Sequence, residues 1–489
     1  MLKNALTPEE NTDYKEKAKP LREKLSALQL KMKENSLPAI IVFEGWGASG
    51  KGTLISDMIK LLDPRFFKVI STVEATDAER RYPLMKRYFE NIPEYGKLSV
   101  MDRSWYRELA AARIEEGISK KEYDRRIISV NTFERQLCDD GYAVIKIFLD
   151  ISKSEQKKRF ERLEENGSTS WRVTDKDKKQ NKHYDDYKQG YEDMLFRTAT
   201  EYAPWYVIDA EEKQFARFML FDIVTKRLEA ALDAKTAYPP EEDVTQLFDM
   251  HKTPLLRDVV LEGKTVTPED YPAKLKALQK ELSKLHGKLY KKKIPVVIAF
   301  EGWDAAGKGG AIKRVGSALD PRGYEAVPIA APSAAEKNRH YLWRFWTKLP
   351  KDGHITIFDR TWYGRVMVER LEGFTPKERC AMAYKEINEF ERELCECGVI
   401  VIKFWMQIDK DEQLRRFTDR MNTPEKRWKI TDEDWRNREK WDLYEAAIDE
   451  MIQKTSTLAA PWTIVEGNDK KYARLKVLET IIERIKEKI

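Results

Sequence analysis

Residues 297–309 read VIAFEGWDAAGKG, an apolar run followed by a glycine-rich turn with Lys308 at its end. Residues 40–52 read IIVFEGWGASGKG, which sets Lys51 and Lys308 at an offset of 257 (308 − 51). The offset then holds without insertion or deletion. Asp102-Arg103 meets Asp359-Arg360, Phe133-Glu134-Arg135 meets Phe390-Glu391-Arg392, and Ala203-Pro204-Trp205 meets Ala460-Pro461-Trp462. A solenoid repeats every 20 to 50 residues or so, so copies this long should each own a core. The expected organisation is a first repeat over residues 1–232, a linker over 233–266 containing Pro239-Pro240, and a second repeat over 267–489.

Within the second repeat, Leu275, Leu278, Leu282, Leu285 and Leu289 recur at helical spacing before the apolar run 296–300. A glycine turn and a helix over 311–319 follow, then the apolar runs HITIFD (354–359), GVIVIKFWM (398–406) and WTIVEG (462–467). Fully apolar strands separated by helices imply right-handed crossovers and a parallel sheet covered on both faces. The expected fold class is therefore three-layer α/β, duplicated in tandem.

Composition narrows the function classes. The 489 residues are 42% hydrophobic and 35% charged, which is folded rather than disordered material. No run approaches the roughly 18 to 20 apolar residues of a membrane span, and the opening MLKNALTPEENTDYKEK lacks a signal core. Four cysteines, Cys138, Cys380, Cys395 and Cys397, do not make a disulfide scaffold, so reduced thiols and a cytoplasmic location are expected. Five scattered histidines disfavour a soft transition-metal site, leaving a hard, oxygen-bound ion. The net charge of +6 suits an anionic substrate, but 83 acids interspersed along the chain argue against nucleic acid.

Gly302, Gly307 and Lys308 fit G-x-x-x-x-G-K between a strand and a helix, where backbone amides and a helix start cradle a phosphate. Gly309 follows the lysine in place of the Ser or Thr that ordinarily holds Mg²⁺ there. Asp304 in the loop and Asp359 at a strand end are then the candidate metal ligands, since both belong at the carboxyl edge of a parallel sheet. Arg360 and Arg365 follow Asp359, and Arg416, Arg420, Arg427 and Lys429 suggest a cationic helix and loop that closes over a polyanion. No tryptophan is singled out as a base platform.

The phrases FEGWDAAGKGG, YLWRFW followed by LP, FDRTWYGRVMVER, and RRF with PEKRWK together resemble the family-2 polyphosphate kinases across both repeats. The resemblance implies a P-loop kinase fold and Mg²⁺-dependent transfer, with Mn²⁺ as an alternative ion, of the terminal phosphoryl of inorganic polyphosphate to AMP, giving ADP. It maps a loop acid to Asp304, the loop lysine to Lys308, the second acid to Asp359 beside Arg360, and lid cations to 416–429; Glu369 is added as an aid to metal or water. Rival readings are a polyphosphate-dependent nucleoside diphosphate kinase and an ATP-dependent nucleoside monophosphate kinase.

The copies differ where chemistry is expected. At the common offset Asp304 becomes Gly47, Arg365 becomes Glu108, Glu369 becomes Ala112, Arg420 becomes Leu163 and Arg427 becomes Ser170. The first repeat keeps Gly45, Gly50, Lys51, Asp102 and Arg103 but loses the loop acid and much of the cationic set. The second repeat is the expected catalyst and the first a degenerate partner. Further pairing of such two-repeat chains into homo-oligomers is also an expectation.

Overall fold

The computed structural model describes residues 1–110, 112–234 and 242–489, apart from the side chains of Lys426 and Lys429. In the first repeat, β1 (Ala39–Gly45), β2 (Phe67–Ser71), β3 (Leu98–Asp102), β4 (Ala143–Asp150) and β5 (Trp205–Asp209) form a parallel sheet in the order β2-β3-β1-β4-β5. In the second, β6 (Val296–Gly302), β7 (Tyr324–Pro328), β8 (Ile355–Asp359), β9 (Ile400–Gln407) and β10 (Trp462–Glu466) repeat it as β7-β8-β6-β9-β10. Every residue of β9 and all but Gly302 of β6 are buried, so both faces of the sheet are covered by helices, as the unbroken apolar runs require. The expected three-layer α/β fold, duplicated in tandem, is the observed one.

Two details depart from expectation. Strand β7 was not legible in the sequence because only Val327 of its five residues is buried and Pro328 ends it, the pattern of an edge strand. The helix expected at 311–319 runs Lys308–Gly316 instead, because Gly307 caps it from the left-handed region at φ 110°. Much of the expected linker lies against the second repeat: Met250 bridges Thr457, and the Thr253 and Ser456 hydroxyls are 2.7 Å apart. Residues 235–241 of that linker lie outside the described residues. By compactness the chain divides into one unit of Met1–Thr76, Met85–Ala237 and Ser333–Trp343 and another of Asp77–Leu84, Tyr238–Pro332 and Arg344–Ile489.

One buried polar network recurs in both repeats. Lys403 on β9, fully buried, donates to Glu391 at 2.7 Å, to the Tyr363 hydroxyl at 2.8 Å and to the Thr455 carbonyl at 2.7 Å. Lys146 on β4 does the same with Glu134, Tyr106 and Thr198. Burial pushes both lysines below their ordinary pKa, and the facing glutamates oppose the shift. The Trp362 indole also donates to Glu391, at 3.0 Å. The network therefore locks the segment after Asp359 to the helix Lys377–Glu396, which fixes one wall of the site.

Candidate active site

Strand β6 lies between β8 and β9, where the strand order reverses, so the loop after it opens at the carboxyl edge of the sheet. Gly302 ends the strand at φ 149°, and a Cβ there would sit 2.7 Å from the Met406 carbonyl oxygen. Only glycine lets the loop pass β9 this closely. Lys308 turns back over the loop and donates to the Gly302 carbonyl at 2.6 Å and the Trp303 carbonyl at 3.2 Å. Arg360 follows Asp359 at φ 64°, a left-handed conformation that Arg103 repeats at φ 61°. Its amide bonds the Phe300 carbonyl at 3.0 Å, which pins β8 to β6 beside the loop.

Asp304 is held from two sides. The Asn437 side-chain amide donates to one carboxylate oxygen at 3.0 Å, and the Arg360 guanidinium lies 3.5 Å from the other. Burial opposes the charge on Arg360, but Asp304 and Glu301 hold its pKa above the ordinary value. Burial likewise raises the Glu301 carboxyl, against the hydrogen bond it accepts from the Thr361 hydroxyl at 2.7 Å. Trp303 stacks on Trp441 at 3.7 Å and donates its indole N–H to Gln407 at 2.9 Å. Asp304, Arg360, Glu301, Trp303 and Asn437 line an open cleft whose apolar side is Met367, Val368 and Ile448.

Gly302, Asp304 and Arg360 thus meet at one cleft, while Lys308 and Asp359 stand at the same sheet edge without lining it. Arg365 and Glu369 pair with each other at 3.0 Å, and both reach the Thr375 hydroxyl. Gly309 is in the first turn of the loop helix. Of the expected lid, Arg427 is exposed and donates to the Met421 carbonyl at 2.8 Å, Arg420 closes the helix Lys410–Asn422, and the Lys429 side chain lies outside the described residues.

Arg416 corrects the expectation. It is 2% exposed and reaches under the loop: Nη1 donates to the Ala305 and Ala306 carbonyls at 2.9 and 3.0 Å, Nη2 to Gly467 and Asn468 at 2.5 and 3.1 Å, and Nε to Glu412. With every donor committed, Arg416 is a clamp beneath the phosphate loop rather than a cation of the lid. Arg159 makes the corresponding contacts to Ala48, Ser49, Ala210 and Glu211. Sequence reasoning also missed Glu301 and Asn437. Glu301 had a signal in the acid shared by both FEGW phrases, whereas Asn437 becomes Gln180 in the first copy and had none.

The first unit's loop is built alike and filled differently. Lys51 is buried against the Gly45 and Trp46 carbonyls at 3.0 and 2.8 Å, and burial, with Arg103 nearby, lowers its pKa to about 8. Gln180 accepts from the Gly47 amide at 2.9 Å, and the Asp177 carboxylate fills the space a Cβ on Gly47 would need.

Comparison with known proteins agrees with this architecture. The model of the Polyphosphate kinase 2 family matches residues 9–236 and 265–489. The chain belongs to that family. It is 41% identical over 473 residues to the Polyphosphate:AMP phosphotransferase of Pseudomonas aeruginosa PAO1, covering 96% of this chain and 95% of that one. It is 39% identical to the protein of the same name in Pseudomonas syringae pv. tomato, covering 96% and 94%. A crystal structure assigned to polyphosphate kinase 2 from Pseudomonas aeruginosa superposes with a TM-score of 0.85 at 38% identity, covering 100% of this chain and 99% of that one. Both five-stranded sheets therefore carry the fold of this family, and among the described residues no helix is long and apolar enough to cross a membrane.

Proposed function

We propose that the chain is a polyphosphate:AMP phosphotransferase whose chemistry resides in the second unit. The observation that carries this reading is the asymmetry of two otherwise matching loops, in a chain alike over nearly its whole length to relatives bearing that name. Asp304 faces the cleft beside Arg360, whereas Gly47 is covered by Asp177 and Gln180. In the reaction an AMP phosphate oxygen attacks the terminal phosphorus of polyphosphate. The bridging P–O bond breaks, and a polymer one unit shorter leaves as the anion. The attacking oxygen is already ionised at neutral pH, so positioning and charge neutralisation supply most of the rate.

The loop amides and Lys308 hold the phosphoryl in transit, and Arg360 neutralises charge that builds on it. On this reading Arg365, Glu369, Arg420 and Arg427, which lie outside the cleft lining, meet the charge of the polymer or the ion. Asp304, facing the cleft, and Asp359, at the end of β8, are the carboxylates that would hold a magnesium ion, the rest of its shell coming from water and substrate phosphates. When bound, the ion would screen the phosphate oxygens and draw charge from the phosphoryl group. Reduced thiols such as Cys380 suit a cytoplasmic setting.

The test is one assay with AMP and Mg²⁺ and either polyphosphate or ATP as donor, repeated with ADP as acceptor. ADP formation from AMP and polyphosphate is the expected result. Turnover with ATP alone, or with ADP as the sole acceptor, would replace this reading.

A further inference from the structure

The helix Asp270–Lys292, which leads into β6, carries Lys276, Lys280, Lys284 and Lys288 on its exposed side. Four-residue spacing repeats a cation about every 6 Å along one side, about 18 Å from first to last. Like charges at this spacing weaken a helix, so such a ladder is not explained by helix stability. The only acids on this helix are Asp270 and Glu281. Asp270 faces Lys274, and Glu281 is taken by Lys486 at 2.5 Å.

Two further arginines, Arg314 and Arg474, stand on helices packed between this helix and the phosphate loop. Gln279, next to Lys280, donates to the Arg314 carbonyl at 2.9 Å near the end of the loop helix. Arg474 lies 3.3 Å from where a Cβ on Gly310 would be, two residues past Lys308. Among the described residues none of these six cations is paired with an acid.

The first unit shows that the fold does not demand this arrangement. At the common offset the four lysines become Lys19, Glu23, Ala27 and Lys31, and Arg314 becomes Asp57. Arg217, the counterpart of Arg474, donates to Asp57 at 2.9 Å. A neutralised corner in one repeat is thus an unneutralised cationic path in the other, and it begins at the loop of the unit that carries the chemistry.

We propose that Arg474, Arg314 and the ladder from Lys276 to Lys288 form a track for the length of a polyphosphate chain whose end lies in the phosphate loop. The proposal rests on polyphosphate as the donor. Its consequence is a preference for long chains: a short oligophosphate reaches the loop but not the ladder, while a long one gains contacts with each added turn of helix.

The experiment uses the full chain and two surface variants. One combines Lys276→Glu, Lys280→Glu, Lys284→Glu and Lys288→Glu. The other, Arg314→Asp, restores the ion pair of the first unit and so guards against misfolding of the first. Binding of long-chain polyphosphate without nucleotide is measured against salt, and initial rates are compared for long-chain polyphosphate and tripolyphosphate. The fourfold variant should bind the long chain at least about ten-fold more weakly at low salt, with the log–log salt dependence flattened by about three. Arg314→Asp should weaken binding in the same sense, and rates with tripolyphosphate should stay unchanged. Unaltered long-chain binding, or an equal loss with tripolyphosphate, would overturn the track. If the parent phosphorylates AMP from neither polymer, the donor assignment fails, and the binding comparison still decides whether the track exists.

Discussion

Asn437 donates to the Asp304 carboxylate at 3.0 Å, whereas its counterpart Gln180 accepts from the backbone amide of Gly47. The same helical segment therefore steadies an acid in one unit and covers a bare loop in the other. Glycine at this loop position also leaves room for Asp177, whose carboxylate occupies the place that a Cβ on Gly47 would take. We predict that Gly47→Asp does not revive the first unit. In a Lys308→Ala background the variant should show no gain in phosphoryl transfer, and crowding against Asp177 should cost about 1–3 kcal/mol in denaturant unfolding. Measurable recovery of turnover would show that the covering segment yields.

The clamps beneath the loops should behave as structure. Arg416→Ala leaves the carbonyls of Ala305, Ala306, Gly467 and Asn468 without their donor, and Arg159→Ala does the same in the first unit. Each substitution should lower stability by about 3 kcal/mol in thermal or denaturant melts. Only Arg416→Ala should also reduce turnover, through a loosened loop. An Arg416→Ala protein of parental stability with a raised KM for polyphosphate would return this residue to the substrate.

Lys51 gives a pH dependence with a definite sign. Burial lowers its pKa from 10.5 to about 8 in the folded chain, so between those values the unfolded chain holds the proton that the folded one has released. Stability attributable to this residue must then rise with pH across that window, being lowest below about pH 8 and levelling off above 10.5. Comparison of the parent with Lys51→Met in denaturant at pH 7.5 and pH 10 should reveal a relative gain for the parent of up to about 3 kcal/mol. A difference independent of pH would mean that Lys51 keeps its ordinary affinity for protons.

Much of this was legible in the sequence, for reasons visible in the fold. β6 and β9 are buried on both faces and so read as unbroken apolar runs, and the loop between β6 and its helix must carry glycine where Gly302 passes Met406. β7 escaped because an exposed edge strand has no such signature. The reach of Arg416 was invisible for another reason: a cation that clamps carbonyls and a cation that meets phosphate look alike in letters. Only the tertiary approach of Ala305 and Gly467 separates them. The pairing of Asn437 with Asp304 spans 133 residues, and although Gln180 meets Gly47 at the same spacing, neither residue type is shared, so comparison of the repeats could not announce it.

The central claim is that one loop of two transfers phosphate, and matched lysine substitutions in the full chain test it most directly. ADP formation from AMP and polyphosphate should fall by about 10²–10³-fold or more in Lys308→Ala. In Lys51→Ala it should stay within a few-fold of the parent. A Lys308→Ala protein with the parental rate, or a Lys51→Ala protein as inactive as its counterpart, would contradict the account.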